Sequence, residues 1–142
     1  MIQLTDRQSK KIKKIGKDFN LNLLLVYGSY AKGNQRKDSD LDIAFLGNAP
    51  IDFDAYFRLH SALANVFGDM GRDLDAVDLY KKDPLFLHQV AKNSQLLYGS
   101  AIDYNEFRAF AFRNYMDSKD IRELEKTLVF RYQNYLNKLY AR

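Results

Sequence analysis

Five consecutive apolar residues, Leu23-Leu24-Leu25-Val26-Tyr27, broken off by Gly28-Ser29, constrain this chain more than any other feature in it. The run is too short for a helix of its own and shows no polar face, so it reads as a buried strand. A buried strand needs amphipathic neighbours, and the flanking sequence is patterned accordingly. Thr5 is placed to cap a helix in which Ile12, Ile15 and Phe19 recur at spacings of three and four. Between Asp52 and Phe67, residues Phe53, Tyr56, Phe57, Leu59, Leu63, Val66 and Phe67 fill a broad helical face. Asp83-Pro84 opens a further helix running to about Asn93. Strands are expected over 40–46, where Asp40-Leu41-Asp42-Ile43 alternates, and over 74–79; residues 95–98 form either a last strand or an extended link. Helix, strand, loop, strand, helix, strand, helix describes a small mixed α/β unit in residues 1–100.

The remaining residues, 101–142, carry no Pro and no Gly beyond Asp103 and read as a helical extension of two helices parted near Asp117-Ser118-Lys119-Asp120, with Ser118 or Asp117 as the second cap. Leu124, Leu128, Tyr132, Tyr135 and Leu139 make one stripe, widened by Val129, Leu136 and Tyr140. That is more apolar surface than a terminal helix usually shows, so it packs on the core or against a partner. At 142 residues and 46% hydrophobic composition the chain builds one core, and the 28% charged fraction with 10 Tyr and 10 Phe excludes a disordered one. The absence of cysteine excludes disulfides, thiolate nucleophiles and zinc-thiolate sites. No apolar run approaches the roughly 18–20 residues of a membrane span, and residues 1–20 lack the apolar centre of a secretory signal, so a cytoplasmic protein is expected.

Lys and Arg number 22 against 18 Asp and Glu, a formal charge of +4. The surplus is local: Asp6 to Asp18 holds Arg7, Lys10, Lys11, Lys13, Lys14 and Lys17 against two acids. Such a face suits nucleic acid, nucleotide phosphates or an acidic protein, or is merely solvated.

The chemistry concentrates in Gly28-Ser29, ten intervening residues, and Asp40-Leu41-Asp42. Residues two apart on a strand point the same way, so Asp40 and Asp42 project to one face. Adjacent carboxylates repel unless a cation lies between them, and hard oxygen ligands suit magnesium, completed by substrate phosphate and water. Glycine after a buried strand lets the backbone approach phosphate closely, and the Ser29 hydroxyl can bind its oxygens, with Lys32, Arg36 and Lys37 following in the same loop. Phosphate on one side and a carboxylate pair on the other is the layout of nucleotidyl transfer. A third carboxylate is expected from a neighbouring strand. Asp73, Asp75 and Asp78 are candidates; Asp73 and Asp75 share a face, Asp78 takes the other, and Asp75 is chosen because it lies within the apolar-flanked strand.

Leu25-Val26-Tyr27-Gly28-Ser29-Tyr30-Ala31-Lys32-Gly33, followed by Ser39-Asp40-Leu41-Asp42-Ile43, resembles the signature of the polymerase-beta-type nucleotidyltransferase superfamily, GS, ten residues, DxD. The order of Leu74-Asp75-Ala76-Val77-Asp78-Leu79, Asp83-Pro84 and Leu96-Leu97-Tyr98-Gly99 is similar to its minimal MNT branch, so the resemblance spans about residues 20–100. Members of that branch are commonly antitoxins paired with HEPN ribonuclease toxins. The resemblance implies a mixed sheet flanked by helices and transfer of AMP from ATP to a tyrosine of the partner. It implies a two-metal site in which Asp40, Asp42 and Asp75 hold magnesium, ions that in such sites lie roughly 3.5–4 Å apart. Gly28 and Ser29 would meet the ATP phosphates with Lys32 or Lys37 nearby. Template-dependent polymerases need additional domains, and an aminoglycoside-type enzyme usually carries a larger substrate half. A protein that neutralises its partner by contact alone, through its aromatic tail, is the reading from another class, with RNA binding by the lysine-rich helix less favoured. His60 and His88 have no second ligand at metal spacing, and Arg113-Asn114 is not followed by the histidine of a HEPN ribonuclease motif, so this chain is not itself the toxin.

Overall fold

The computed structural model of the protein describes residues 2–33, 40–68 and 73–141. In chain order the elements are α1 (Asp6–Asp18), β1 (Leu21–Tyr27), α2 (Ser29–Lys32), β2 (Leu41–Gly47), α3 (Phe53–Phe67), β3 (Leu74–Asp78), α4 (Pro84–Lys92), β4 (Ser94–Tyr98), α5 (Ala101–Asp117) and α6 (Lys119–Tyr140). Each sequence-predicted element is present, with ends shifted by a residue or two where caps decide them. Residues 95–98, left open between strand and link, pair as β4.

The strands form one mixed sheet in the order β3-β2-β1-β4. β1 pairs antiparallel with β2 and with β4, whereas β2 and β3 run parallel, the crossover between them being α3. The apolar run of β1 is explained by this position. Leu24 and Val26 enter a core completed by Ile12 and Ile15 of α1 and by Leu59 and Leu63 of α3. Leu23 and Leu25 face the opposite way, into a core with Leu87 and Val90 of α4 and Phe107 and Ala111 of α5. A strand with helices on both faces has no polar side to show, which is why its sequence does not alternate.

Local chemistry closes the elements. Thr5 and Gln8 form a capping box at α1, their side chains bonding each other's backbone amides at 3.2 and 3.0 Å. Asp52 and Asp83 cap α3 and α4 through the amides of Ala55 and Phe86. Ser118, expected as a cap, stands at that position for α6 without capping it: its hydroxyl donates to the Tyr115 carbonyl at 3.0 Å and accepts from the Arg122 guanidinium. Gly16 lets α1 lie directly on the Tyr98 ring, where a Cβ would collide with it. Among the described residues no helix is long and apolar enough to cross a membrane.

The two helices of the extension behave differently. α5 buries Phe107 and Ala111 in the second core, while α6 buries none of its 22 residues. Its hold on the body is at its start, where Arg122 lies 3.9 Å from the Tyr115 ring centroid and that ring stacks at 4.1 Å on His88.

Replacing Leu24, which is 0% exposed, by alanine is expected to cost about 2–5 kcal/mol, read as a lowered urea midpoint with an unchanged slope.

Candidate active site

β1 and β2 determine where the polar groups of the site go. Their antiparallel register sets Tyr27 opposite Asp42, and the parallel register of β2 with β3 sets Asp42 beside Asp75. On the other flank of β1, Tyr27 pairs with Ser94 of β4. Ser94, Tyr27, Asp42 and Asp75 thus form one row across four strands, at the usual spacing of about 4.8 Å between neighbours. Cross-strand neighbours share a face, here the one that carries α4 and α5. Asp40 precedes β2 by one residue and, two before Asp42, falls on the same side.

The three carboxylates sense one another. The Asp42 carboxyl is pushed above its ordinary value of 3.8, first by partial burial and then by the charges of Asp75 and Asp40. The Tyr27 hydroxyl, pushed up to about 12, responds to burial first and then to Asp42 and Asp75. It therefore stays protonated at physiological pH near the acids. The Tyr27 ring is steadied by an edge contact with Phe86 of α4, and Ser94 by Tyr104 of α5, whose hydroxyls lie 2.6 Å apart.

Gly28 follows Tyr27 with φ +76°, and a Cβ there would sit 2.8 Å from Asp42 Oδ2. Both facts demand glycine: the backbone is left-handed, and the space a side chain would take is held by a carboxylate oxygen. Gly28 leads into α2, whose first turn has no side-chain cap, so the backbone at Ser29 is presented beside the acids rather than sealed by a side chain. The Lys32 amide donates to the Gly28 carbonyl at 3.1 Å and Gly33, at φ +76°, ends the turn.

The expected site residues are distributed as follows. Gly28, Ser29, Asp40, Asp42 and Asp75 lie at one end of the sheet, where β1 finishes and where β2 and β3 begin. Lys32 is exposed at the end of α2; Lys37 lies outside the described residues. Asp78 turns to the opposite face, its carboxylate accepting from the amides of Ile51 (3.1 Å) and Tyr80 (2.9 Å), which is a structural task. Asp73 contributes its carbonyl to the Leu41 amide at 2.8 Å, extending the parallel ladder by one bond. His60 bonds the Leu74 carbonyl through Nε2 and His88 stacks on Tyr115, so both are accounted for within the fold. Sequence reasoning assigned no role to Tyr27, Ser94 or Tyr104; the only signal for Tyr27 was a phenol in an otherwise aliphatic run.

A cluster of carboxylates in which burial and the charges of Asp75 and Asp40 raise the proton affinity of Asp42, on a firm sheet and partly open to solvent, fits a hard divalent cation. Among the described residues no group of three or more acids or histidines is drawn into a closed ligand cage. A cleft of about 480 Å³, lined by residues such as Phe19, Pro50 and Asp52, lies at the other end of the sheet and contains none of these acids.

Comparison with known proteins agrees with this geometry. A family model described as polymerase beta, nucleotidyltransferase matches residues 10–103. The protein adenylyltransferase MntA of Aphanizomenon flos-aquae is 29% identical over 128 residues, covering 83% of this chain and 82% of the relative. The protein of the same name from Shewanella oneidensis is 34% identical over 83 residues, 58% of each chain. A crystal structure of a toxin-antitoxin with AMP-PNP superposes with a TM-score of 0.71 at 29% identity, over 86% of this chain and 98% of the other. A tri-AMPylated Shewanella oneidensis HEPN toxin in complex with an MNT antitoxin gives 0.66 at 25% identity, over 87% and 97%.

The raised Asp42 carboxyl has a consequence for stability. A folded-state value above the unfolded one means that the native protein holds this proton more tightly, so the stability it contributes is complete below 3.8 and is lost as the pH rises through the raised value. Asp42→Asn is therefore expected to melt above the wild type at pH 7, the gap closing in acid. Added magnesium should raise the melting temperature of the wild type more than that of the variant, by differential scanning fluorimetry.

Proposed function

Because this chain belongs to the polymerase beta nucleotidyltransferase family, we propose that it is a protein adenylyltransferase that moves AMP from ATP onto a tyrosine of a HEPN-type ribonuclease toxin and so acts as the antitoxin. The observation that carries this reading is the Asp42–Asp75 pair on adjacent strands, with Asp40 on the same side and Gly28 packed against the Asp42 carboxylate. The similarity to MntA and to the toxin–antitoxin complexes supports the substrate class and partner. ATP is a cytoplasmic substrate, and we place the reaction there.

In this reading Gly28 and Ser29 receive the phosphates, the glycine by leaving room and the serine by its hydroxyl, with Lys32 and Lys37 as the cations that would bind them. Asp40, Asp42 and Asp75 would hold the magnesium ions, which when bound supply charge neutralisation for the transferring phosphoryl group. The acceptor phenol oxygen forms a bond to the α-phosphorus while the bond from that phosphorus to the bridging oxygen breaks, and pyrophosphate departs. The phenolic proton passes to Asp75, the most exposed of the acids on the strand pair. Tyr27 stays protonated throughout. Residues 1–100 are the catalytic core, and residues 101–142 form the extension that packs on it through α5 and offers α6 to the partner.

The tail also supports neutralisation by contact alone, since Leu124, Leu128 and Tyr135 of α6 are each more than half exposed. One experiment separates the two. With ATP labelled at the α-phosphate, magnesium and the co-purified toxin, label is expected on the toxin and is lost, to below about 1% of the wild-type rate, in Asp40→Asn plus Asp42→Asn. A double variant that still neutralises the toxin fully would overturn the enzymatic reading. Gly28→Ala displaces the Asp42 carboxylate and should slow transfer by about 100-fold, as misplacements of about 1 Å do, while leaving the complex with the toxin intact on a sizing column.

A further inference from the structure

We propose that the exposed face of α1 is a nucleic-acid-binding surface that grips the phosphodiester backbone without regard to sequence, separate from the transferase site. The first observation is charge segregation. Arg7 and five lysines of α1 face two acids, Asp6 and Asp18, and this surplus equals the whole formal charge of +4; the rest of the chain is neutral. The second is placement. Arg7, Lys10, Lys14 and Lys17 follow one another at steps of three and four, so they share one stripe, on the side of the helix opposite the buried Ile12 and Ile15. All four are exposed, and among the described residues none has an ion-pair partner. From Arg7 to Lys17 the helix rises about 15 Å, over which one nucleic-acid strand presents roughly four phosphates.

Clefts flank the stripe on both sides. One of about 510 Å³ is bordered by Lys13 and Lys17, with Asp103 on its far wall; the other, of about 300 Å³, is bordered by Lys11 and Lys14, with Asp18. They give the backbone of a strand room to settle beside the helix.

What this face lacks decides between a nucleic acid and an acidic protein. Protein interfaces are anchored by aromatic and large apolar side chains and are depleted in lysine. No large apolar side chain of α1 is exposed; those exposed among the described residues are found on α3 to α6. A surface of lysines with nothing to insert into a pocket is suited to a uniform line of phosphates and poorly suited to a folded partner.

The test uses the full-length protein with two fluorescein-labelled probes of arbitrary sequence and equal length, a single-stranded RNA and a duplex DNA. Binding is followed by anisotropy across a salt series. With four phosphates neutralised, log Kd should change with log salt with a slope of about 3.6 for the duplex and about 2.8 for the single strand; whichever probe is held more tightly at low salt identifies the source of the backbone. Changing Arg7, Lys10, Lys14 and Lys17 together to Gln should weaken binding by at least about tenfold and flatten the salt slope. Glutamine keeps the helix, which circular dichroism checks, and transfer of AMP to the toxin should stay within a few-fold of the wild type. The proposal is overturned by absence of binding to both probes at low salt, by binding that the fourfold variant retains, or by polyglutamate displacing the probes as well as unlabelled RNA does. Loss of AMP transfer in that variant would also overturn it, since α1 would then belong to the toxin-docking surface. Loss of transfer in the Asp40/Asp42 variant with nucleic-acid binding retained keeps the two functions apart.

Discussion

Like charges held side by side are the constraint on which the site depends. Asp42 and Asp75 occupy adjacent positions on parallel strands, and Asp40 joins them from just outside β2. Like charges this close repel, and the charges of Asp75 and Asp40 raise the cost of ionising Asp42. What holds them is the backbone ladder, whose energy comes from the apolar side chains on either face of the sheet. The site is therefore strained electrostatically and relaxed sterically, an arrangement that a divalent cation converts into a favourable one.

The two cores give the sheet this rigidity. β1 is the hinge of the arrangement: it contributes Leu24 and Val26 to one core, Leu23 and Leu25 to the other, and ends in the Tyr27-Gly28 pair that borders the acids. Because the same strand closes both cores and delivers the glycine, the Gly28 backbone and the Asp42 carboxylate packed against it are set by one rigid piece of structure. Tyr27 stands beside Asp42 in the sheet, its ring held by Phe86 and its hydroxyl sensing the charges of Asp42 and Asp75. Function is divided spatially as well, with the acids at one end of the sheet, the cations collected on α1, and the exposed apolar groups gathered mainly on α5 and α6.

Much of the site was legible before any coordinates. The two acids of the DxD pair lie two positions apart, with Leu41 between them, so period-two geometry alone sends both carboxylates to one face. The same parity argument separates Asp75 from Asp78, and the structure shows Asp78 occupied with the amides of Ile51 and Tyr80 on the other face. Gly28 was legible as a glycine after a buried strand, although the reason it must be one, the Asp42 oxygen in the place of a Cβ, belongs to the pairing of β1 with β2. Tyr27, Ser94 and Tyr104 were not legible as neighbours of the site, because what joins them is register between strands far apart in sequence.

Periodicity and caps, which depend on residues within a turn or two of each other, were enough for the sequence to determine the helices, the strands and the face on which each acid lies. Strand order, the parallel pairing that sets Asp75 beside Asp42, and the contrast between a buried α5 and an uncovered α6 were decided only by the tertiary structure. The reason is that local patterns say which face of an element is apolar but carry no information about which other element covers it. The sequence shows the clearer apolar stripe on α6, yet it is Phe107 and Ala111 of α5 that find the sheet while nothing in α6 does.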